Sequence, residues 1–307
     1  MHLKGILLPF TTPFTENEEI DTAALQANLK KWNNTGISGY VALGSTGERV
    51  NLNESEYQMV VEASRQEVPS DLTFIVGVGQ QSTRQTIEEV KRVASMGADA
   101  VLAITPSFYR PAITQASLLS HYQAIADTAT VPVILYSMPD LTGVVIEPDT
   151  VAKLSAHPNI VGIKDSSSDI ARFRRTRELT HEEFEVITGN GTVLLDALQA
   201  GARAAILAVG CVVPQQCLEI YHLVTSGQME SAASLQARLT PLALAVTKRY
   251  GIGGLKAAMD LVEYKGGPVR APLRSPSADE QREIRDLLNA VTGNNVGKQE
   301  WSEPHPA

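Results

Sequence analysis

A lysine stands at the end of an apolar run in the stretch NIVGIKDSSSD, residues 159–169. The apolar residues before Lys164 predict a buried strand, and a polar turn follows it. Lysine is among the residue types that are least often buried without a partner. The Lys164 amine therefore either reaches solvent or lies in a poorly solvated site. In such a site the charged form is disfavoured, and the neutral amine can attack a ketone.

Other reactive groups also stand at the ends of predicted strands. Tyr136 could transfer a proton to or from a substrate. Ser45 and Thr46, within GSTGE, could offer hydroxyl groups and backbone amides to a carboxylate, and Gly189 lies in the comparable stretch TGNG. Taken singly, each feature has a structural interpretation, as a solvated lysine, a boundary aromatic residue or a plain turn. Their shared position at strand ends favours imine chemistry that forms or cleaves C–C bonds.

Eight short apolar strands, alternating with amphipathic helical patterns, must position these residues. The strands are apolar throughout rather than at every second residue, which is typical of strands covered on both faces. Eight such units predict a TIM (β/α)8 barrel, in which catalytic residues lie where the strands end. A doubly wound open sheet is the alternative, but it would rarely need eight such even units. The predicted strands are Gly5–Pro9, Gly39–Leu43, Thr73–Val78, Ala100–Ile104, Val133–Tyr136, Ile160–Lys164, Glu185–Thr188 and Ala204–Ala208.

The chain after the eighth predicted strand carries helical patterns and no convincing strand. We therefore predict a barrel domain over residues 1–212, a helical extension over 213–295 that packs on the barrel, and a flexible tail over 296–307. The predicted helices of the extension are Gln215–Thr225, Met229–Arg249, Gly254–Glu263 and Asp279–Val291.

The bulk composition argues against several classes of protein. The chain has 307 residues and a formal net charge of −8 without a basic cluster, which disfavours nucleic-acid binding. No apolar run approaches the ~20 residues of a membrane-spanning helix, and the start MHLKGILLPF resembles no signal or transit sequence. We therefore expect a cytoplasmic protein with no membrane partner. Cys211, Cys217 and six scattered histidines form no ligand pattern, so we expect no metal site.

Three motifs relate the chain to a known superfamily. GSTGE, YSMPDLTG at 136–143 and VGIKD at 161–165 resemble the dihydrodipicolinate synthase/N-acetylneuraminate lyase superfamily, and the resemblance runs from LPFTTPF at 8–14 to about Leu273. It implies a TIM barrel, a Schiff-base lysine, and pyruvate or a similar 2-oxo acid with an aldehyde partner. It also implies no cofactor and a homotetramer built as a dimer of dimers. On this resemblance Lys164 forms the imine, Tyr136 transfers the proton, and Ser45 and Thr46 bind the carboxylate.

Departures from the family patterns bear on which member this is. Dihydrodipicolinate synthases carry an arginine for the aldehyde's carboxylate, where this chain has Leu141. They also have a tyrosine, donated across the dimer interface, that completes a proton relay. The corresponding residue here is Phe108, with Tyr109 next to it. N-acetylneuraminate lyases have acidic residues after strand 7 that hold sugar hydroxyls, where this chain has Gly191 and Thr192.

Within the superfamily the chain most resembles 4-hydroxy-2-oxoglutarate aldolases of the mitochondrial type, through LYSMP-x-x-TG, HPNIVGIKDS, RYGIGGLKAAMD and GGPVRAPL. The resemblance implies a class I, metal-independent lyase that cleaves 4-hydroxy-2-oxoglutarate to pyruvate and glyoxylate. Gly189 would help hold the pyruvyl carboxylate, and Ser166 would touch the distal part of the substrate. Phe108 and Arg110 would also bind substrate, with Arg110 as the anchor for a second carboxylate. Two alternatives stay open: dihydrodipicolinate synthase, which condenses pyruvate with aspartate semialdehyde, and a non-catalytic 2-oxo acid-binding protein.

Overall fold

The centre of the molecule is a closed barrel of eight parallel strands, seen in a computed structural model that describes residues 3–293. The strands pair in chain order, and β1 pairs with β8 to close the barrel. The predicted TIM (β/α)8 barrel is therefore confirmed. The strands are β1 Gly5–Leu8, β2 Gly39–Ala42, β3 Thr73–Val78, β4 Ala100–Ile104, β5 Val133–Ser137, β6 Ile160–Asp165, β7 Glu185–Thr188 and β8 Ala204–Ile206.

Parallel pairing brings the chemically useful strand ends to one face of the barrel. Tyr136 lies opposite Lys164 in the register of β5 and β6, and Lys164 lies opposite Ile187 of β7. β5 and β6 each continue one residue beyond the predicted end, because Ser137 and Asp165 still pair with each other. Lys164 is therefore the penultimate residue of its strand.

Helices surround the barrel and continue beyond it. Short polar side chains begin several of them, as expected: Asp21 Oδ1 accepts a hydrogen bond from the Ala24 amide, and Asn53 forms a capping box with Glu56. No helix within residues 3–293 is both long and apolar enough to cross a membrane. The helices are α1 Thr22–Trp32, α2 Glu54–Glu67, α3 Thr83–Ser95, α4 Gln115–Thr128, α5 Pro139–Thr142, α6 Pro148–Ser155, α7 Ile170–Leu179, α8 Leu194–Gln199, α9 Pro214–Thr225, α10 Met229–Leu244, α11 Gly251–Leu261 and α12 Ala278–Thr292.

Apolar side chains fill two layers, one inside the barrel and one between the strands and the helices. Successive residues of a strand point to opposite faces, so Leu7 belongs to the inner layer and Leu8 to the outer layer. Because both layers are dry, the strands are apolar at successive positions. Tyr136 is part of the inner layer, which places a phenol at the top of the barrel core.

The segment directly after α11 packs against α1, in the first strand–helix unit. The ring of Trp32 in α1 stacks on Tyr264 with centroids 4.9 Å apart, and the Asn28 side chain exchanges two hydrogen bonds of 2.8 Å with the Lys265 backbone. The predicted helix Met229–Arg249 is α10 followed by a short π-helix, Ala245–Arg249. The predicted tail, 296–307, lies outside the described residues.

Candidate active site

Lys164 is buried at the carboxyl face of the barrel, beside the ring of Tyr136. Lys164 is only 3% exposed, and its Nζ atom lies 4.3 Å from the centroid of the Tyr136 ring. The two side chains lie together because they come from paired positions of β5 and β6. The amine thus does not escape to solvent, and it is presented to the interior of the barrel mouth.

The hydroxyl of Tyr136 is hydrogen-bonded to Ser45. Tyr136 Oη and Ser45 Oγ lie 2.9 Å apart, and either atom can donate. Burial on its own would raise the pKa of Tyr136. The Lys164 ammonium and the hydroxyls of Ser45 and Ser166 outweigh burial and hold this pKa below its usual range. The phenol is therefore poised to give and to take a proton.

Ser45 and Thr46 lie in a tight 3-10 turn, Ser45–Gly47, that follows β2. Thr46 is buried, and Thr12 Oγ1 donates a 2.7 Å hydrogen bond to the Gly47 carbonyl. Leu43 before the turn has φ +55°, in the left-handed region that a non-glycine residue rarely adopts. The turn is thus bent sharply back toward Tyr136.

Gly189, directly after β7, leaves the space that the lysine side chain needs. A Cβ atom at this position would lie 2.0 Å from Ser166 Oγ and 2.6 Å from Lys164 Cε. The Gly189 amide donates a 2.7 Å hydrogen bond to the Asp165 carbonyl, which ties the end of β7 to the end of β6. Ser166 is buried in the same place. Lys164, Tyr136, Ser45, Ser166 and Gly189 therefore form one cluster.

Asp165 supports this cluster, and sequence reasoning missed it. Its Oδ1 accepts a 2.8 Å hydrogen bond from the Ser167 amide, and its Oδ2 lies 3.4 Å from Arg172 Nε in α7. These contacts fix the turn that carries Ser166. The available signal was an aspartate directly after the lysine and before a serine-rich turn, because such a side chain often bonds an amide two residues on.

Phe108 and Arg110 lie in the loop after β4, outside the buried cluster. Phe108 is 75% exposed, and its amide is held at 2.9 Å by Gln81 Oε1. Arg110 is exposed and packs on the turn after β5, where a Cβ on Gly143 would meet its Cδ at 2.8 Å. Leu141, in α5, is 65% exposed. We call these three residues the outer rim. Of them, Leu141 lines the cavity described next, and the other two do not.

A cavity of about 590 Å³ opens beside the Ser45–Tyr136 pair. Leu141, Ile252 and Leu273 line one side of it with apolar surface. Its volume lies in the range of small-molecule sites, and Ser45 and Tyr136 are the members of the Lys164 cluster that line it. Within residues 3–293, no group of three or more His, Cys, Asp or Glu side chains is placed to hold a metal ion.

A pair of opposite charges, Glu89 and Arg49, also lines this cavity. Glu89 of α3 is buried, and both of its carboxylate oxygens accept hydrogen bonds from Nη2 of Arg49. The Gly79 amide and Gln80 Nε2 also donate to this carboxylate, at 2.7 Å and 3.1 Å. Nη2 of Arg49 is therefore engaged by Glu89, whereas its buried Nε has no hydrogen-bond partner among residues 3–293.

Comparison with known proteins agrees with the geometry. Residues 2–291 match the model of the Dihydrodipicolinate synthetase family. The chain is 33% identical to the 4-hydroxy-tetrahydrodipicolinate synthase of Methanothrix thermoacetophila, over 94% of this chain and 97% of the relative. It is 30% identical to a protein of Emericella nidulans named "Probable 4-hydroxy-2-oxoglutarate aldolase, mitochondrial", over 93% of this chain and 94% of the relative.

Solved structures show the same barrel. The crystal structure of dihydrodipicolinate synthase from Thermotoga maritima superposes with a TM-score of 0.89 at 30% identity, over 95% of this chain and 99% of that chain. The 4-hydroxy-tetrahydrodipicolinate synthase of Methylacidiphilum fumariolicum gives a TM-score of 0.88 at 27% identity, over 95% of this chain and 96% of that chain. The likeness extends over nearly the whole chain, including the C-terminal helices.

Proposed function

Because the chain belongs to the dihydrodipicolinate synthetase family and is a lyase of that family, we propose that it is a class I aldolase that cleaves 4-hydroxy-2-oxoglutarate to pyruvate and glyoxylate. The observation that carries the proposal is the buried Lys164 amine, 4.3 Å from the ring of a tyrosine whose hydroxyl is bonded to Ser45. A dry amine beside a proton-transferring phenol is the arrangement that imine chemistry requires.

In the proposed reaction Lys164 passes its proton to the Tyr136 phenolate, and the neutral amine attacks the C2 ketone. Tyr136 then gives this proton to the departing hydroxyl, so loss of water leaves a protonated imine and a phenolate. Tyr136, directly or through Ser45, removes the proton of the C4 hydroxyl. The C3–C4 bond breaks, its electron pair passes to the imine to form an enamine, and glyoxylate leaves. Tyr136 donates the proton taken from the C4 hydroxyl to C3 of the enamine, and hydrolysis of the protonated imine releases pyruvate and restores the Lys164 ammonium and the Tyr136 phenolate. Protons and electrons balance without a cofactor.

The substrate carboxylate next to C2 is assigned to the turn of Ser45 and Thr46, with Gly189 leaving room for it. Ser166 lies beside the amine and would contact the distal part of the substrate. The second carboxylate of the substrate is assigned to Arg110 on the rim, with Phe108 beside it. Binding at the rim would require Arg110 to turn from Gly143 toward the cavity, because its side chain now covers that glycine.

The choice of glyoxylate rests on the rim of the cavity. Leu141 gives an apolar side chain where dihydrodipicolinate synthases place an arginine, so the aldehyde of those enzymes would lose its carboxylate contact. The Emericella nidulans relative carries an aldolase name. The Methanothrix thermoacetophila relative carries a synthase name, so condensation of pyruvate with aspartate semialdehyde is the second candidate. A 2-oxo acid-binding protein without turnover is the third.

Borohydride trapping with pyruvate, followed by peptide mass mapping, tests the chemistry. We expect a reduced pyruvyl adduct on Lys164, and none in Lys164→Met. Lys153→Met is the matched control, because Lys153 is exposed in α6 and should leave the adduct unchanged. No adduct with pyruvate or with longer 2-oxo acids would contradict the proposal.

An aldehyde screen separates the three candidates. One assay measures the pyruvate released by cleavage of 4-hydroxy-2-oxoglutarate. The other measures the consumption of aspartate semialdehyde in the synthase reaction. We expect turnover only in the first assay. Turnover only in the second assay would make the protein a synthase, and pyruvate binding without turnover in either would support a binding protein.

The assembly and the location belong to the same proposal. We infer a homotetramer from the family resemblance, supported by the exposed aromatic pair Phe108 and Tyr109, whose ring centroids lie 5.0 Å apart. A cytoplasmic location stays a prediction from the sequence.

A further inference from the structure

A buried ion pair joins the C-terminal helix α11 to the turn that carries Ser45. Lys256 Nζ lies 2.6 Å from Glu48 Oε1, and each side chain is only 1% exposed. The Lys256 ammonium also donates a 2.7 Å hydrogen bond to the Pro268 carbonyl and lies 4.3 Å from the centroid of the Phe14 ring. None of the mechanistic steps above uses this pair.

Glu48 closes the turn Ser45–Gly47 in a strained backbone conformation. Its φ is +53°, in the left-handed region, and its amide donates a 3.2 Å hydrogen bond to the Ser45 carbonyl. Such a conformation costs a non-glycine residue free energy and persists only where the surroundings fix it. The next 3-10 turn, Arg49–Asn51, begins directly after Glu48, so this residue sets the direction of the chain on both sides.

The contacts that fix Glu48 come from its carboxylate and reach the C-terminal part of the chain. Besides Lys256, the Arg270 amide donates to Oε2 at 3.2 Å and Asn51 Nδ2 at 3.4 Å. Arg270 in turn holds Glu56 of α2 and the Asn51 carbonyl. The segment after α11 therefore clamps the loop that follows β2.

We infer that Glu48 and Lys256 are positioning residues, which hold the Ser45 hydroxyl against Tyr136 and set the geometry of the carboxylate-binding turn. This inference rests on the proposed function. It makes the C-terminal helical extension a part of the active site, because one of its helices fixes the turn that touches substrate. A merely stabilising ion pair would affect unfolding but leave substrate affinity unchanged.

The test compares Glu48→Gln, Lys256→Met and the double variant. Each single change leaves a buried charge without its partner, which destabilises the fold, whereas the double change removes both charges and recovers much of that loss. A positioning role predicts that the double variant folds but keeps a KM for the 2-oxo acid raised roughly ten- to a hundred-fold, because the link from α11 to the turn is gone. We expect imine trapping on Lys164 to persist at saturating pyruvate.

A substrate-free readout keeps the result interpretable. The pKa of Tyr136 depends on its hydrogen bond to Ser45. The phenolate of Tyr136 is followed by the difference spectrum between the double variant and the same variant carrying Tyr136→Phe. The midpoint of this titration should lie at higher pH than in the wild-type background. If wild-type protein forms no imine, the proposed function fails, while this titration still tests the positioning of Ser45.

Glu185→Gln is the matched control. Glu185 is a buried carboxylate paired with Arg203, at the start of β7 and so at the opposite end of the barrel. Its loss should lower stability without changing KM or the Tyr136 titration. A well-folded double variant with wild-type KM and an unshifted titration would overturn the inference.

Discussion

At Tyr136, burial and a neighbouring charge shift the pKa of the phenol in opposite directions. Burial raises the pKa of four other buried tyrosines, Tyr40, Tyr57, Tyr122 and Tyr264, and at Tyr57 it prevails although Arg49 and Arg92 act to lower the pKa. Only at Tyr136 among these five does the pKa fall below the usual value. The difference comes from Lys164 and two serine hydroxyls, so the phenol is tuned by the same groups that would bind substrate.

We predict that the phenolate of Tyr136 forms below the ordinary tyrosine pKa of about 10. The measurement is the near-ultraviolet difference spectrum of wild-type protein against Tyr136→Phe as the pH is raised. In Lys164→Met the titration should shift to higher pH, because the nearby positive charge is lost.

Lys153→Met again serves as the control, since it removes an exposed ammonium from α6 and should leave the curve unchanged. An unshifted titration in Lys164→Met would mean that the lysine does not act on the phenol.

At the scale of elements, the contact between α3 and α4 contains a buried histidine. His121 Nδ1 lies 2.8 Å from Thr83 Oγ1, and its ring meets Tyr122 edge-on with centroids 5.1 Å apart. Burial lowers the pKa of His121 to about 4. The imidazole is therefore neutral in the folded protein at neutral pH.

This burial makes stability depend on pH. The unfolded chain takes up a proton at His121 near pH 6.5, whereas the folded protein resists it down to about 4. Between these values the unfolded state binds more protons, so the free energy of unfolding falls as the pH falls. The contribution of this residue to the loss is about 3 kcal/mol across that window.

We expect the free energy of unfolding of His121→Asn to depend less on pH than that of the wild type, because the asparagine amide does not titrate. Denaturant unfolding at several pH values between 4 and 7 measures it. Ser120→Asn supplies the comparison, since it changes an exposed residue of α4 that does not titrate and should retain the wild-type slope. Equal slopes in the two variants would show that His121 is not the group responsible.

At the scale of the whole molecule, apolar side chains remain exposed near the barrel mouth. Phe108, Tyr109 and Leu141 are all more than half exposed, and Leu141 and Leu273 line the cavity beside Tyr136. Exposed apolar surface of this kind favours association. It lies next to the residues that would bind the aldehyde, so association and substrate binding would share one region.

We predict that sedimentation gives a species of four chains, each of 33.1 kDa. Replacing Phe108 and Tyr109 by serine should shift the distribution toward smaller species, because the aromatic area is lost. Met59→Ser removes a comparable exposed apolar side chain from α2 and should leave the assembly intact. A monomeric wild-type protein at micromolar concentration would contradict the tetramer.

The sequence by itself determined the barrel and the chemical groups at its mouth. The eight predicted strands recur with ends shifted by at most two residues, because apolar runs bounded by turns and helix caps are local signals. Lys164, Tyr136 and Ser45 could be chosen because parallel strands in a barrel must bring their carboxyl ends together. The steric need for Gly189 was not visible, since it depends on where Ser166 and Lys164 point.

Only the tertiary structure decided which distant residues hold these groups in place. Glu48 meets Lys256 and the Arg270 amide, both far along the chain, and no local pattern specifies these partners. The downward shift of the Tyr136 pKa likewise depends on three neighbours that lie on other strands and turns. Strand order and periodicity can be read along the chain, but burial and charge pairing arise between segments, so they appear only once the chain is folded.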